Sequence, residues 1–156
     1  MTTRWLTIIG IGEDGLDGLT DATKALIAGA EIVFGGARHL SLAKGLGKAE
    51  HRRWQTPFEN SVEEVIRLRG RKSVCVLASG DPFHYGVGAT LARRIPASEM
   101  LVVPSPSAFT LAAARMGWAV QDTVLLSLHG RPIDLVRPHL HPGRTILALT
   151  SDAEGP

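Results

Sequence analysis

The stretch that decides the fold is Val74–Gly88, which has the sequence VCVLASGDPFHYGVG. Its first half is a short apolar, β-branched run, which predicts a buried strand of a parallel sheet. Its second half is a turn cluster followed by a helix-compatible segment that reaches Arg94. Because open α/β sheets bind ligands at the loops that leave the carboxyl ends of their strands, this junction is the first candidate site.

Three residues at the junction favour ligand binding. Gly80 lets a ligand approach the backbone closely, and Pro82 biases the preceding residue, Asp81, away from helical geometry. The alternative is a tight strand-to-helix turn in which Asp81 only caps the helix. The stretch by itself leaves both interpretations open.

The composition is that of a globular protein of 156 residues, with 44% hydrophobic and 21% charged residues. A formal net charge of +2 and 5% aromatic residues do not favour nucleic-acid binding, which typically needs a basic stripe. The single cysteine, Cys75, lies in the apolar run, so we expect a reducing compartment and a cytoplasmic protein. We expect no membrane span, because every apolar run is far shorter than the roughly 18 residues required.

Strands and helices alternate along the first two thirds of the chain. Strands are predicted over residues 5–12, 31–34, 74–78 and 100–103. One helix is predicted with Thr20 as its N-cap and Gly29 just past its end, a second is compatible with residues 37–46, and a third begins near residue 60. Residues 48–57 match no template. This alternation predicts a parallel sheet covered on both faces.

The alternation breaks at residues 104–109, PSPSAF. Ser105 and Pro106 have the chemistry of an N-cap and a first helical residue, so they predict the start of a helix that ends at Gly117. We therefore predict an N-terminal α/β domain over residues 1–104 and a second α/β domain over residues 105–156.

The predicted second domain is small. It contains strands over residues 123–128 and 145–150, and two strands with two helices are few for a domain. We expect this domain to be truncated, with an unpaired strand edge that favours a homodimer.

Three other chemistries are weakly supported. Residues 10–15 spell GIGEDG, a dinucleotide-binding pattern, but the helix begins only after Leu19 and two acidic residues occupy the phosphate position. His139 and His141 lack the further ligands of a metal site, so no metal is predicted. No serine lies in a nucleophile elbow, so covalent catalysis is not indicated.

Four stretches carry a family resemblance in the same order. They are the glycine-ended first strand with Leu19-Thr20, the GDPF loop at 80–83, VPSPSA at 103–108 and the late strand through Thr150. On these stretches the chain resembles the tetrapyrrole methylases, enzymes that methylate uroporphyrinogen and the precorrins using S-adenosylmethionine. The resemblance implies an S-adenosylmethionine-dependent C-methyltransferase with an α/β fold.

Further motifs resemble one branch of this family. They are GGARHL at 35–40, the Gly117-Trp118 pair, SLHGR at 127–131 and LTSD at 149–152. That branch methylates precorrin-6Y at C5 in cobalamin biosynthesis and is often fused to a second methylase domain for C15 methylation and decarboxylation. The resemblance therefore implies a tetrapyrrole substrate and a fused or separate C15-methylase domain as partner.

The resemblance also implies roles for individual residues. The residues that match cofactor-binding positions are Ser79, Gly80, Asp81, His84, Ser107, Ala108 and Thr150. Arg38 and Arg131 follow predicted strand ends, and arginine forks bind carboxylates such as those of a precorrin. An interpretation of both as surface charges stays equally open. No catalytic residue is identified, and Gly12-Glu13-Asp14 departs from the family's usual Gly-Pro-Gly.

Two alternatives remain open from the sequence. The same cofactor could serve another substrate, ribosomal RNA or the diphthamide precursor, although the modest charge argues against RNA. The chain could instead be a truncated domain that binds a tetrapyrrole without turnover.

Overall fold

Five parallel strands form the sheet of the first of two units in the computed structural model, which describes residues 4–151. The first unit ends at Ser105 and the second begins at Pro106. The strands of the first unit are β1 Leu6–Ile11, β2 Ile32–Gly35, β3 Glu50–Arg53, β4 Val74–Ser79 and β5 Met100–Val103. Its helices are α1 Asp21–Ala28, α2 Ala37–Ala43, α3 Phe58–Arg67 and α4 Val87–Leu91.

The strand order is β3-β2-β4-β1-β5, so β4 lies at the centre of the sheet as its apolar sequence predicts. It pairs with β1 from Leu6 opposite Val74 to Ile11 opposite Ser79. Its other neighbour is β2. The predicted parallel α/β sheet is confirmed.

Alternate residues of the central strands pack on opposite faces of the sheet. Val74 and Val76 belong to one buried cluster, together with Val65 of α3. Cys75 and Leu77 belong to a second buried cluster, together with Leu40 of α2. Because both faces are covered by helices, nearly every residue of β4 is apolar.

The helix ends predicted from capping chemistry are largely confirmed. Thr20 caps α1, and its Oγ1 accepts a hydrogen bond of 3.2 Å from the backbone N–H of Thr23. The helix of the second unit, α5 Ala108–Met116, ends at Gly117 with a φ of 69°, a left-handed conformation that glycine adopts without strain.

The N-cap prediction at Ser105 is wrong. Ser107 caps α5 instead, because its side chain accepts a hydrogen bond of 3.3 Å from the N–H of Thr110. The Ser105 hydroxyl donates to the carbonyl oxygen of Gly10 at 2.8 Å. Both serines have suitable capping chemistry, and only a long-range contact distinguishes them.

Strand β3 was not predicted, since its sequence, EHRR, carries no apolar residue. It lies at an edge of the sheet, where charged side chains discourage pairing with other chains. Arg52 forms salt bridges with Glu50 and Glu64 at 2.8 and 2.7 Å. These contacts suit a strand that is exposed along one side.

The second unit contains a parallel pair of strands, β6 Thr123–Ser127 and β7 Thr145–Leu149. The helix α5 packs against β7, and a 3₁₀ helix over Ile133–His139 connects the two strands. Between Pro106 and Ser151 the sheet has these two strands. The expected unpaired edge and homodimer remain predictions.

No helix among residues 4–151 is both long enough and apolar enough to cross a membrane.

A buried carboxylate fixes the amino-terminal edge of the first sheet. The side chain of Glu99 is 6% exposed and accepts hydrogen bonds of 2.7 Å from both Trp5 Nε1 and Arg69 Nε. A further Nη2 donor of Arg69 completes a bidentate ion pair. The Arg69 hydrogen bonds, and next the Trp5 hydrogen bond, lower the pKa of Glu99 from its ordinary value of 4.5.

We predict that Glu99→Gln lowers the melting temperature by several degrees at pH 7. The neutral amide loses the ion pair and turns an N–H₂ group toward Arg69. Because the folded-state pKa is lowered, the stabilisation is fully present above pH 4.5 and is lost as the pH falls further. Thermal unfolding at pH 7 and at about pH 3 should show the wild-type advantage shrinking in acid.

Glu63→Gln is the matched control for this experiment. Glu63 pairs with Arg94 at 2.9 Å, but both side chains are about half exposed. Surface ion pairs contribute little to stability, so the control should melt close to the wild type. An equal loss in both variants would contradict a special role for Glu99.

Candidate functional site

The carboxyl ends of β1, β4 and β5 are joined by backbone contacts rather than by bulky side chains. The N–H of Gly80 donates to Ile11 O at 2.9 Å, and the N–H of Ser105 donates to Gly80 O at 3.1 Å. With the hydroxyl of Ser105 on Gly10 O, these bonds link the three strand ends directly. We call Gly10, Ile11, Gly80 and Ser105 the strand-end junction.

Two glycines make the strand-end junction sterically feasible. A Cβ at Gly10 would overlap the carbonyl oxygen of Gly80 and lie 2.8 Å from the nitrogen of Ser105. Gly80 has a φ of 57°, in the left-handed region that favours glycine. The backbone of the loop after β4 is therefore held close to its neighbours, and no side chain projects from residue 80.

Asp81 lies in a tight turn directly after the strand-end junction. Its Oδ1 accepts a hydrogen bond of 2.8 Å from the N–H of Phe83, a contact typical of an Asx turn. The helix α4 begins only at Val87, with Gly86 at its N-cap. The alternative in which Asp81 caps the helix is therefore wrong, although the carboxylate does stabilise its own turn.

An aromatic segment follows Asp81. Phe83 and Tyr85 are 45% and 46% exposed. The rings of His84 and Tyr85 stack with their centroids 5.5 Å apart, and Tyr85 has a φ of 54°, which is uncommon for a residue other than glycine. The segment places exposed aromatic surface beside the loop after β4.

The first turn of α2 reaches the loop after β1 and the end of β4. Arg38 is exposed, and its Nη2 lies 3.4 Å from the carbonyl oxygens of both Gly12 and Glu13. His39 is buried, and its Nε2 lies 3.3 Å from Ser79 Oγ. The sheet order brings these contacts together, because β2, which precedes α2, lies next to β4, and β1 lies beyond it.

The pairing of His39 with Ser79 was not predicted from the sequence. Burial, and next the charge of Arg38, lower the pKa of His39 from its ordinary value of 6.5, so the ring is neutral at physiological pH. One signal was available: Ser79 follows Cys75 and Leu77 at alternate positions, which places it on the face that α2 covers.

The predicted site residues of the second unit lie at its helix start and at its strand ends. Ser107 is the buried N-cap of α5, and the exposed Ala108 is the first residue of that helix. Thr150 follows β7, and Arg131 follows β6 in a turn in which its N–H donates to Leu128 O. Because β6 and β7 are parallel, Arg131 and Thr150 lie beyond the same edge of this small sheet.

In the first unit, Ser79 is the last residue of β4 and Gly80 and Asp81 begin the loop that follows at the carboxyl edge, with His84 three residues further on. Arg38 lies at the same edge. Among residues 4–151 no group of three or more His, Cys, Asp and Glu residues could hold a metal ion. Burial raises the pKa of Cys75 to about 12, so this thiol stays protonated.

The loop after β4 can hold a ligand that donates hydrogen bonds. Asp81 and Ser79 offer oxygen acceptors there, and the glycine between them has no side chain.

Comparison with known proteins identifies the family. The family described as Tetrapyrrole (Corrin/Porphyrin) Methylases matches residues 5–153. The chain belongs to this family. A Sinorhizobium protein named precorrin-6Y C(5,15)-methyltransferase [decarboxylating] is 59% identical over all 156 residues, which are 38% of that relative's length.

Two further proteins are similar over nearly the whole chain. The cobalt-precorrin-7 C(5)-methyltransferase of Salmonella typhimurium is 30% identical over 97% of this chain and 73% of its own. The crystal structure of a cobalamin-biosynthesis precorrin-6Y methylase from Archaeoglobus fulgidus has a TM-score of 0.66, at 21% identity. The similarity covers 95% of this chain and 73% of the Archaeoglobus chain, and it shows that the two proteins share a fold.

We predict that Gly10→Ala disrupts the strand-end junction. The added methyl group overlaps backbone atoms that cannot rotate away, and such overpacking costs about 3 kcal/mol or more. Urea unfolding should show this loss. Gly36→Ala is the control, because a Cβ there meets no atom within 4 Å and the residue has a φ of −71°. Equal stability of the two variants would contradict the prediction.

Proposed function

We propose that this chain carries an S-adenosylmethionine-dependent C-methyltransferase that methylates C5 of precorrin-6Y in cobalamin biosynthesis. The observation that carries the proposal is the 59% identity, over the whole chain, to a protein named for this reaction. The chain is also similar to a protein named as a C(5)-methyltransferase, over 73% of that protein's length. This similarity favours C5 over C15 as the position methylated.

The residues at the carboxyl edge support a transfer that needs no protein nucleophile. S-adenosylmethionine supplies a methyl group already activated by its positive sulfur. The protein must align the two reactants and exclude water, a role that glycines, small residues and backbone groups can fill. Ser79, Gly80, Asp81 and His84 are the proposed contacts in the first unit. Ser107, Ala108 and Thr150 are proposed contacts from the second unit, on the family resemblance.

Arg38 and Arg131 are proposed to bind substrate carboxylates. A precorrin is rimmed with carboxylates, and a guanidinium can bind each one through two parallel hydrogen bonds. Arg38 is exposed at the carboxyl edge of the first sheet, and Arg131 is exposed after β6. Arg38 also lies near two carbonyl oxygens of the loop after β1, which restrains its guanidinium before substrate binds.

A further part of the proposal concerns the reaction at C15. The chain spans about two fifths of the length of the Sinorhizobium relative, whose name covers methylation at both C5 and C15. We propose that C15 methylation and decarboxylation belong to a fused or separate domain.

We also propose a cytoplasmic location. A homodimer is a further proposal, which sedimentation would test.

We predict that Asp81→Asn weakens binding of S-adenosylhomocysteine by about ten- to a hundredfold, the usual value of a hydrogen bond to a charged group. The melting temperature should stay nearly unchanged, because the amide oxygen can still accept from the N–H of Phe83. Calorimetric titration of the intact protein measures the affinity. Asp81→Ala should lose the same affinity and, in addition, about 1 kcal/mol of stability.

The outcome that contradicts this prediction is a normal affinity in Asp81→Asn. The carboxylate would then serve only its own turn. Wild-type protein that binds NAD but not S-adenosylhomocysteine would overturn the proposed function itself.

We predict that Arg38→Ala and Arg131→Ala each raise the apparent KM for precorrin by roughly ten- to a hundredfold. Affinity for S-adenosylhomocysteine should stay near that of the wild type. Lysine should restore only part of the loss, because an ammonium group cannot reproduce the planar fork. Anaerobic steady-state kinetics with the reduced tetrapyrrole measure both effects.

Arg71→Ala is the control for the arginine variants. Arg71 is exposed and precedes β4, at the opposite end of that strand from Asp81. If both substrate variants show the kinetics of this control, Arg38 and Arg131 are surface charges.

A further inference from the structure

We propose that His39 is a positioning residue that fixes the hydroxyl of Ser79 for the ligand of the loop after β4. The proposal rests on the proposed function, since it takes S-adenosylmethionine to be that ligand. It assigns His39 a role through Ser79 and no direct contact with the ligand.

The fold brings these two residues together from different elements. The alternation of β4 points Ser79 to the face of Cys75 and Leu77, which α2 covers. His39 lies on the buried side of α2 together with Leu40 and Ala43. The resulting contact between Nε2 and Oγ is 3.3 Å, and it spans 40 residues of sequence.

The two side chains differ in their exposure to solvent, and this difference gives them different roles. Ser79 is exposed at the carboxyl edge of the sheet and immediately precedes Gly80, whereas His39 is 9% exposed. A ligand at this loop can therefore contact the serine hydroxyl, while the imidazole supports that hydroxyl from within the protein.

The hydrogen bond determines what the hydroxyl can offer a ligand. An isolated serine hydroxyl rotates and presents either its proton or its lone pairs. The bond to His39 engages either the hydroxyl proton or one of the lone pairs, according to which ring nitrogen carries the proton. Fewer orientations are then open to the hydroxyl before a ligand binds. Such preorganisation improves affinity by reducing the entropy lost in the complex.

The imidazole is uncharged in this contact. Burial, and next the charge of the preceding residue Arg38, lower the pKa of His39, so the pair is a neutral hydrogen bond at physiological pH. Neutral hydrogen bonds contribute about 0.5–1.5 kcal/mol, which corresponds to a two- to twelvefold change in affinity.

A double-mutant cycle tests the proposal. Calorimetric titration with S-adenosylhomocysteine is carried out on wild type, Ser79→Ala, His39→Leu and the double variant. We expect each single variant to bind about two- to twelvefold more weakly than the wild type, and the double variant to bind no more weakly than Ser79→Ala. Leucine fills much of the imidazole volume but offers no hydrogen bond.

His39→Gln supplies the rescue. Its terminal amide can reach a position close to that of Nε2 and can donate or accept, so it should bind within twofold of the wild type. Ser41→Ala, an exposed change on the same helix, should have no effect. If His39→Leu fails to fold, the glutamine variant decides: affinity as low as that of Ser79→Ala overturns the proposal.

Other outcomes distinguish a failure of the proposed function from a failure of the role proposed for His39. Wild-type protein that fails to bind S-adenosylhomocysteine overturns the proposed function and the role of His39 with it. A wild type that binds, with additive losses in the double variant or an unaffected His39→Leu, leaves the proposed function standing and overturns the role of His39 alone.

Discussion

The close approach of three strand ends is the constraint on which the candidate site depends. Gly80 donates to Ile11 and accepts from Ser105, whose hydroxyl also binds Gly10. These bonds satisfy backbone groups where the ladders between the strands end. Residue 80 is a glycine with a φ of 57°, so no side chain projects from this position at the carboxyl edge.

The two edges of the first sheet are stabilised by different chemistry. At the amino-terminal edge, Glu99 is buried and held by Trp5 and Arg69, so stability there depends on a satisfied charge. At the carboxyl-terminal edge, Ser79 and Arg38 are exposed and Asp81 is half-buried. The ion pair that stabilises this sheet therefore lies at the opposite end of the strands from the loops of the candidate site.

The cofactor and substrate contacts proposed for the first unit lie at the same edge of its sheet. Hydroxyl, carboxylate and backbone groups after β4 suit a nucleoside-containing cofactor. A guanidinium on the first turn of α2 suits a carboxylate-bearing substrate. The fold places them together because β2 and β4 are neighbours and parallel, so the segments that follow them emerge on one side.

The sequence by itself determined the parallel α/β sheet, most helix ends and the family, because apolar runs, capping residues and ordered motifs are local. Tertiary structure alone decided the rest. The charged strand β3 pairs with β2, Ser105 is engaged by Gly10 while Ser107 caps α5, and His39 meets Ser79 across 40 residues. Each depends on contacts between distant segments, which no local pattern encodes.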